Sequence, residues 1–155
     1  MRRALISLTL LVALFAGTAS SQTKPNFAGK WTITDPAAAG GMMTPTTMTV
    51  VQDEKTITLT TVGQMGEVKT VFNLDGTEAK SPIEVQGTTI ERVTKAAWDG
   101  SKLALTTVAN FQGQSFETKQ IWTLGADGTL TVDATRPDFQ GGGAPVTTKS
   151  VYKKQ

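Results

Sequence analysis

Thr129-Leu130-Thr131-Val132-Asp133-Ala134 sets polar and apolar side chains in strict alternation. A period of two puts Leu130, Val132 and Ala134 on one face of an extended strand, with Thr131 and Asp133 on the other. The same rhythm stands at Thr56-Ile57-Thr58-Leu59-Thr60 and at Lys102-Leu103-Ala104-Leu105. Threonine is the commonest residue, 27 of 155, and 25 of these follow Ala19. Its β-branched side chain suits a half-buried pleated surface. Together these features indicate antiparallel sheet with one wet face.

Turn signals separate the alternating runs. Asp75-Gly76, Asp99-Gly100 and Asp127-Gly128 are hairpin signals, because glycine reaches the positive φ that tight hairpins require. Gln52-Asp53-Glu54-Lys55, Val62-Gly63-Gln64-Met65-Gly66 and Phe111-Gln112-Gly113-Gln114 mark further turns. The spacing predicts about nine or ten strands, near residues 28–34, 46–52, 55–62, 67–74, 78–85, 88–98, 101–109, 115–124, 128–136 and 145–153. Longer loops fall at 35–45 and 137–145, and no segment beyond the leader carries a helical period. Many short strands without helical crossovers point to an all-β, single up-and-down antiparallel barrel that closes to remove its edges.

The chain begins MRRALISLTLLVALFAGTASS. Arg2 and Arg3 precede a short apolar run from Ala4 to Ala16, followed by small residues, which is the layout of a secretory signal peptide. Residues 1–19 are read as that leader, with cleavage after Ala19 or Ser21, and 24–154 as one barrel domain. A membrane span needs about 20 apolar residues, more than this run offers, so the expectation is a secreted or periplasmic protein with no integral membrane anchor. Without Arg2 and Arg3, 15 − 2 = 13 basic residues face 13 acidic ones, and the formal charge of +2 disappears. Apart from Lys153-Lys154, Lys and Arg are scattered singly rather than gathered in the basic stripe of a nucleic-acid binder. Nucleic acid is therefore not an expected partner.

There is no His and no Cys. Zinc fingers, Cys-His or Ser-His-Asp catalysis, haem ligation by His and disulfides are excluded on that count. Asp53-Glu54 falls in a turn, where acids are solvated. No calcium-loop pattern, nucleophile elbow or phosphate-binding glycine motif occurs. Met42, Met43 and Met48 could form an adaptable apolar mouth or a thioether copper site, though without His or regular spacing the copper reading is weak. The expectation is a non-catalytic protein with no cofactor and no metal.

Pro25-Asn26-Phe27-Ala28-Gly29-Lys30-Trp31 resembles the N-F-x-G-x-W opening of the intracellular fatty-acid- and retinoid-binding proteins, and the G-x-W of the wider lipocalin and calycin group. Trp98, Lys102-Leu103, Trp122, Leu124, Leu130, Val132 and the closing Val151-Tyr152 are similar in order to the last strands of those barrels. More closely, the chain resembles short uncharacterised secreted bacterial lipocalin-like proteins sharing N-F-[AS]-G-x-W, W-D-G-x-x-L and a terminal V-Y-x-[KR]. The resemblance implies a lipocalin-like barrel whose signature residues are Asn26, Phe27, Gly29, Trp31 and Trp98. It implies a small apolar or amphipathic ligand inside, and if the sheet closes, the last strand should pair with the one carrying Trp31. It also shows departures: Ser150 and Trp122 stand where fatty-acid binders place inward arginines, and residues 35–45 have no helical lid. Of the usual carboxylate clamp only Tyr152 remains.

Candidate cavity residues are accordingly Phe72, Arg92, Trp122, Ser150 and Tyr152. If Ile90 and Trp98 face inward, Arg92 does too. It would then anchor an anionic ligand, pair with a carboxylate such as Glu117, or turn to solvent at a bulge. Trp31 is either a plug of the barrel base or a ligand contact. Two functions stay open: a carrier of a small amphipathic molecule, and a ligand-free interaction module of the bacterial envelope.

Overall fold

The computed structural model of the protein describes residues 24–35, 44–63, 66–85, 87–138 and 143–155. The expected leader, Met42, Met43, Gly141 and Gly142 lie outside the described residues. Within them the chain forms β1 (Gly29–Ile33), β2 (Thr47–Gln52), β3 (Thr56–Gly63), β4 (Gly66–Asn73), β5 (Ala79–Lys80), β6 (Ile83–Val85), β7 (Thr88–Asp99), β8 (Lys102–Phe111), β9 (Gln114–Leu124), β10 (Leu130–Arg136) and β11 (Val146–Lys154), with no helix. Their lateral order is β4-β3-β2-β1-β11-β10-β9-β8-β7-β5, with β6 beside β7. All pairings are antiparallel, and β11 returns to β1 with Ile33 opposite Tyr152. The result is a nearly closed antiparallel barrel.

The expected strands are present to within two residues at each end, save one. Segment 78–85 is two short strands, β5 and β6, interrupted at Ser81-Pro82. Proline has no N–H to give a ladder, so the strand cannot run through it. The three Asp-Gly turns form as the sequence indicates, with positive φ at Gly76 (85°), Gly100 (59°) and Gly128 (77°).

Asp53, Asp75 and Asp127 lie in turns at one end of the barrel, the base. Each carboxylate accepts from a backbone N–H and a threonine hydroxyl two or three residues on, as in Thr77 N–H (2.9 Å) and Oγ1 (2.6 Å) to Asp75. These local bonds compete with strand continuation and fix the turn.

The N-F-A-G-K-W segment closes the base. Asn26 Oδ1 accepts the Ala28 N–H at 2.8 Å, which bends the chain across the barrel end before β1 begins. Gln52 clamps it, its Oε1 accepting the Phe27 N–H (2.8 Å) and its Nε2 donating to the Pro25 carbonyl (3.2 Å). Phe27, with no exposed surface, then packs against Trp98 (stacked, 6.2 Å) and Trp122 (edge-on, 5.6 Å). The Trp31 indole N–H donates to the Phe27 carbonyl at 2.9 Å. Gly29 has φ +140°, a conformation closed to most L-residues, and Lys154 passes where its Cβ would stand. Around this plug the core holds Ile57, Leu59, Phe72, Leu103, Leu105, Leu130 and Tyr152.

Candidate functional site

One interval of the barrel is closed without a ladder. Strands β4 and β7 approach each other, and side chains join them. Arg92 donates through Nε to the Ser81 carbonyl (2.9 Å) and through Nη2 to Thr70 Oγ1 (3.0 Å) and the Lys69 carbonyl (3.4 Å). The Thr94 hydroxyl lies 2.5 Å from the Val71 carbonyl oxygen and 3.2 Å from that of Ala79. Ser81 Oγ accepts the Val71 N–H at 3.3 Å and donates to the Lys69 carbonyl at 3.4 Å. Buried polar groups persist only when bonded. Among the described residues the buried polar side chains are Thr70, Ser81, Thr94 and Ser150, and the first three belong to this seam.

The seam settles where Arg92 stands. It is half-buried, and its nitrogens reach two carbonyls and a hydroxyl rather than Glu117, which pairs with Lys119 at 2.9 Å on the outer surface. Burial draws its pKa below the ordinary arginine value. The remaining expected cavity residues lie in packed structure: Phe72 (2% exposed), Trp122 (0%), Ser150 (5%) and Tyr152 (1%). The Tyr152 hydroxyl donates to the Pro45 carbonyl at 3.0 Å. Burial pushes its pKa up to about 12, opposed by a hydrogen bond with Ser150. Met48 is a core residue of β2.

Cross-strand register sorts the inward face into rows. Nearest the base stand Leu124, Leu130 and Tyr152, and on the row above them Trp98, Leu103, Trp122, Val132 and Ser150. Next come Ala96, Leu105, Gln120, Ala134 and Thr148, then Thr94, Thr107 and Thr118, then Arg92, Ala109 and Phe116. Successive rows are about 7 Å apart along the strands. Aromatic and branched side chains fill these two basal rows, whereas hydroxyl, amide and methyl side chains dominate the two above them. Gln120, Thr118, Thr107, Ala109, Ala134 and Thr148 are only partly buried, whereas Ala96, Leu105 and Thr94 on the same rows are buried, so solvent reaches part of the inward face at this depth, chiefly on β9, β10 and β11. At the rim the same face becomes apolar again, with Val68 and Ile90 half-buried, Phe111 38% exposed and Val146 40% exposed.

The mouth belt of Gln120, Thr107, Thr118 and Thr148 was not among the residues singled out from the sequence. Alternation running back from Trp122 through Gln120 and Thr118 to Phe116 carries that signal. It is visible once Trp122 is known to face inward. No group of three or more His, Cys, Asp or Glu side chains able to hold a metal ion occurs among the described residues. No family model and no curated protein sequence matches the chain.

Proposed function

We propose that the chain is an exported, non-catalytic lipocalin-like barrel that takes one small amphipathic molecule into its mouth. The observation that carries this reading is the succession along the inward face: a packed apolar base, a partly solvated belt of hydroxyl and amide side chains, and an apolar rim. A molecule with one polar end and one apolar body matches belt and rim together, and burial of the rim side chains would drive association. The base is already filled by Phe27, Trp98 and Trp122, which leaves the mouth as the binding volume. Arg92 is committed to the seam, so the reading needs no arginine-anchored carboxylate.

Native mass spectrometry of protein exported to a bacterial periplasm tests it. The expected result is the leaderless chain carrying a small-molecule adduct that is lost on collisional activation. A clean ligand-free mass, with tryptophan emission unchanged across a panel of lipids and retinoids, overturns it. That outcome would favour the second reading, a ligand-free envelope module. The observation behind it is apolar exposure on the outer face of β2 and β3, where Val51 is 62% and Val62 51% exposed.

A further inference from the structure

We infer that the ligand enters head first, and that its head is a neutral oxygen-bearing group, an amide, ester or alcohol, received by the Gln120 carboxamide. This rests on the mouth reading above and adds to it an orientation and a head-group class. Gln120 stands on the row where the packed base gives way to the belt. Trp122, buried directly below, donates its Nε1–H to Gln120 Oε1 at 2.9 Å. An indole N–H can only donate, so the amide oxygen must face it, and the amide NH2 is thereby turned away from the base. The row neighbours Leu105 and Ala134 offer that NH2 no side-chain acceptor. The row above supplies the hydroxyls of Thr107 and Thr118, residues that stand opposite one another in the β8–β9 ladder.

An oxygen acceptor arriving from the mouth would thus meet two amide donors and two hydroxyls that can donate or accept. A charged head at the same depth would need a counter-charge once desolvated. Arg92 stands two rows higher and donates into the seam, and Arg136 already has a partner. Ala109 and Ala134 contribute only methyl groups to the belt and are partly buried.

The test uses the full mature chain labelled with 15N, whose three tryptophans give three indole resonances. Octanamide, octanoate and octylammonium share one tail and differ only in the head. Octanamide should move the Trp122 indole resonance and the backbone amides of Phe111 and Val146 saturably, with the charged probes weaker by about tenfold or more. Gln120→Ala should weaken octanamide by a similar factor. Thr118→Val, which keeps the strand-favouring shape, should weaken it by roughly threefold and guards against misfolding of the first variant. If all probes move the rim amides equally while the Trp122 indole stays fixed, head-first binding falls and the mouth reading stands. Tightest binding by octanoate, or wild-type affinity in both variants, overturns the head-group assignment. If no probe moves any mouth resonance, both readings fall.

Discussion

Arg92 Nη2 lies 3.0 Å from Thr70 Oγ1, across the interval of the barrel where β4 and β7 meet without a ladder. The guanidinium spans that gap because its planar fork presents donors from separate nitrogens, Nε to the Ser81 carbonyl and Nη2 to Thr70 and Lys69, whereas the donors of an ammonium all radiate from one atom. Its charge is balanced by backbone dipoles rather than by a carboxylate. The barrel is therefore sealed on one side by side chains, which a single substitution can remove, and elsewhere by paired backbone.

Removing this seal should lower stability without dissolving the fold. Arg92→Ala strands the Ser81 carbonyl and the Thr70 hydroxyl, at a cost of about 2–3 kcal/mol. Thr94→Val, nearly isosteric, leaves the Val71 and Ala79 carbonyls short of a donor, costing about 1–3 kcal/mol. Arg92→Lys should recover less than half of the Arg92→Ala loss. Urea unfolding measures all three. Hydrogen exchange should accelerate at the Val71 amide and stay unchanged in β10 and β11.

The base plug makes unequal demands on the three tryptophans. Phe27→Ala opens a cavity between Trp98 and Trp122, and the expected loss is about 3–5 kcal/mol with a red-shifted emission. Trp31 and Trp122 each donate a hydrogen bond, whereas Trp98 Nε1 is buried without a partner. Replacing Trp98 by Phe therefore relieves an unsatisfied donor, while Trp31→Phe and Trp122→Phe strand an acceptor. Thermal unfolding should rank Trp98→Phe as the mildest of the three.

Tyr152 is the single tyrosine, so its titration is read directly by ultraviolet absorbance. Burial raises its pKa from 10.0 to about 12 in the folded state. The folded state thus holds the proton more tightly, and the stabilisation is complete below the unfolded pKa. It is lost as pH rises from about 10 through about 12. Wild-type stability should decline over that window, and Tyr152→Phe should flatten this part of the decline. It should also lose about 1 kcal/mol at neutral pH, with the hydrogen bond to Pro45. A tyrosine that titrates near 10 in the folded protein would contradict the buried position.

The barrel was legible because its signals are local. Alternation at Thr56–Thr60 and Thr129–Ala134, and glycine after aspartate at 75–76, 99–100 and 127–128, each fix geometry within a few residues. Even β1–β11 pairing follows once a meander must close. The seam was not legible. Its partners, Arg92 with Lys69 and Thr94 with Val71, lie 23 residues apart, and no periodicity reports which two strands will meet unpaired. The expected strand 78–85 runs through Pro82, the residue that breaks it into β5 and β6, and nothing local reports that Ser81 would bond to β4. The belt falls between these cases: alternation places Gln120 and Thr118 on the Trp122 face, while the depth at which the core stops depends on Phe27 arriving from outside the sheet.

Acid should loosen the protein from its base. Asp53, Asp75 and Asp127 have pKa values lowered from the ordinary 3.8, chiefly by backbone N–H groups at Asp53 and by threonine hydroxyls at Asp75 and Asp127. A depressed folded pKa means that the ionised form binds the turn, so the contribution is present above the unfolded pKa near 3.8 and is lost as pH falls through the lower folded values. Replacing all three by Asn keeps an oxygen acceptor in each turn while removing the charge. The triple variant should be less stable than wild type at pH 7 and should lose less on acidification below pH ~4. Chemical unfolding at stepped pH measures both slopes. Because the three turns flank the Phe27 plug rather than the mouth, tryptophan emission should change in the same acid interval, while the β8–β9 hairpin amides at the opposite end respond later.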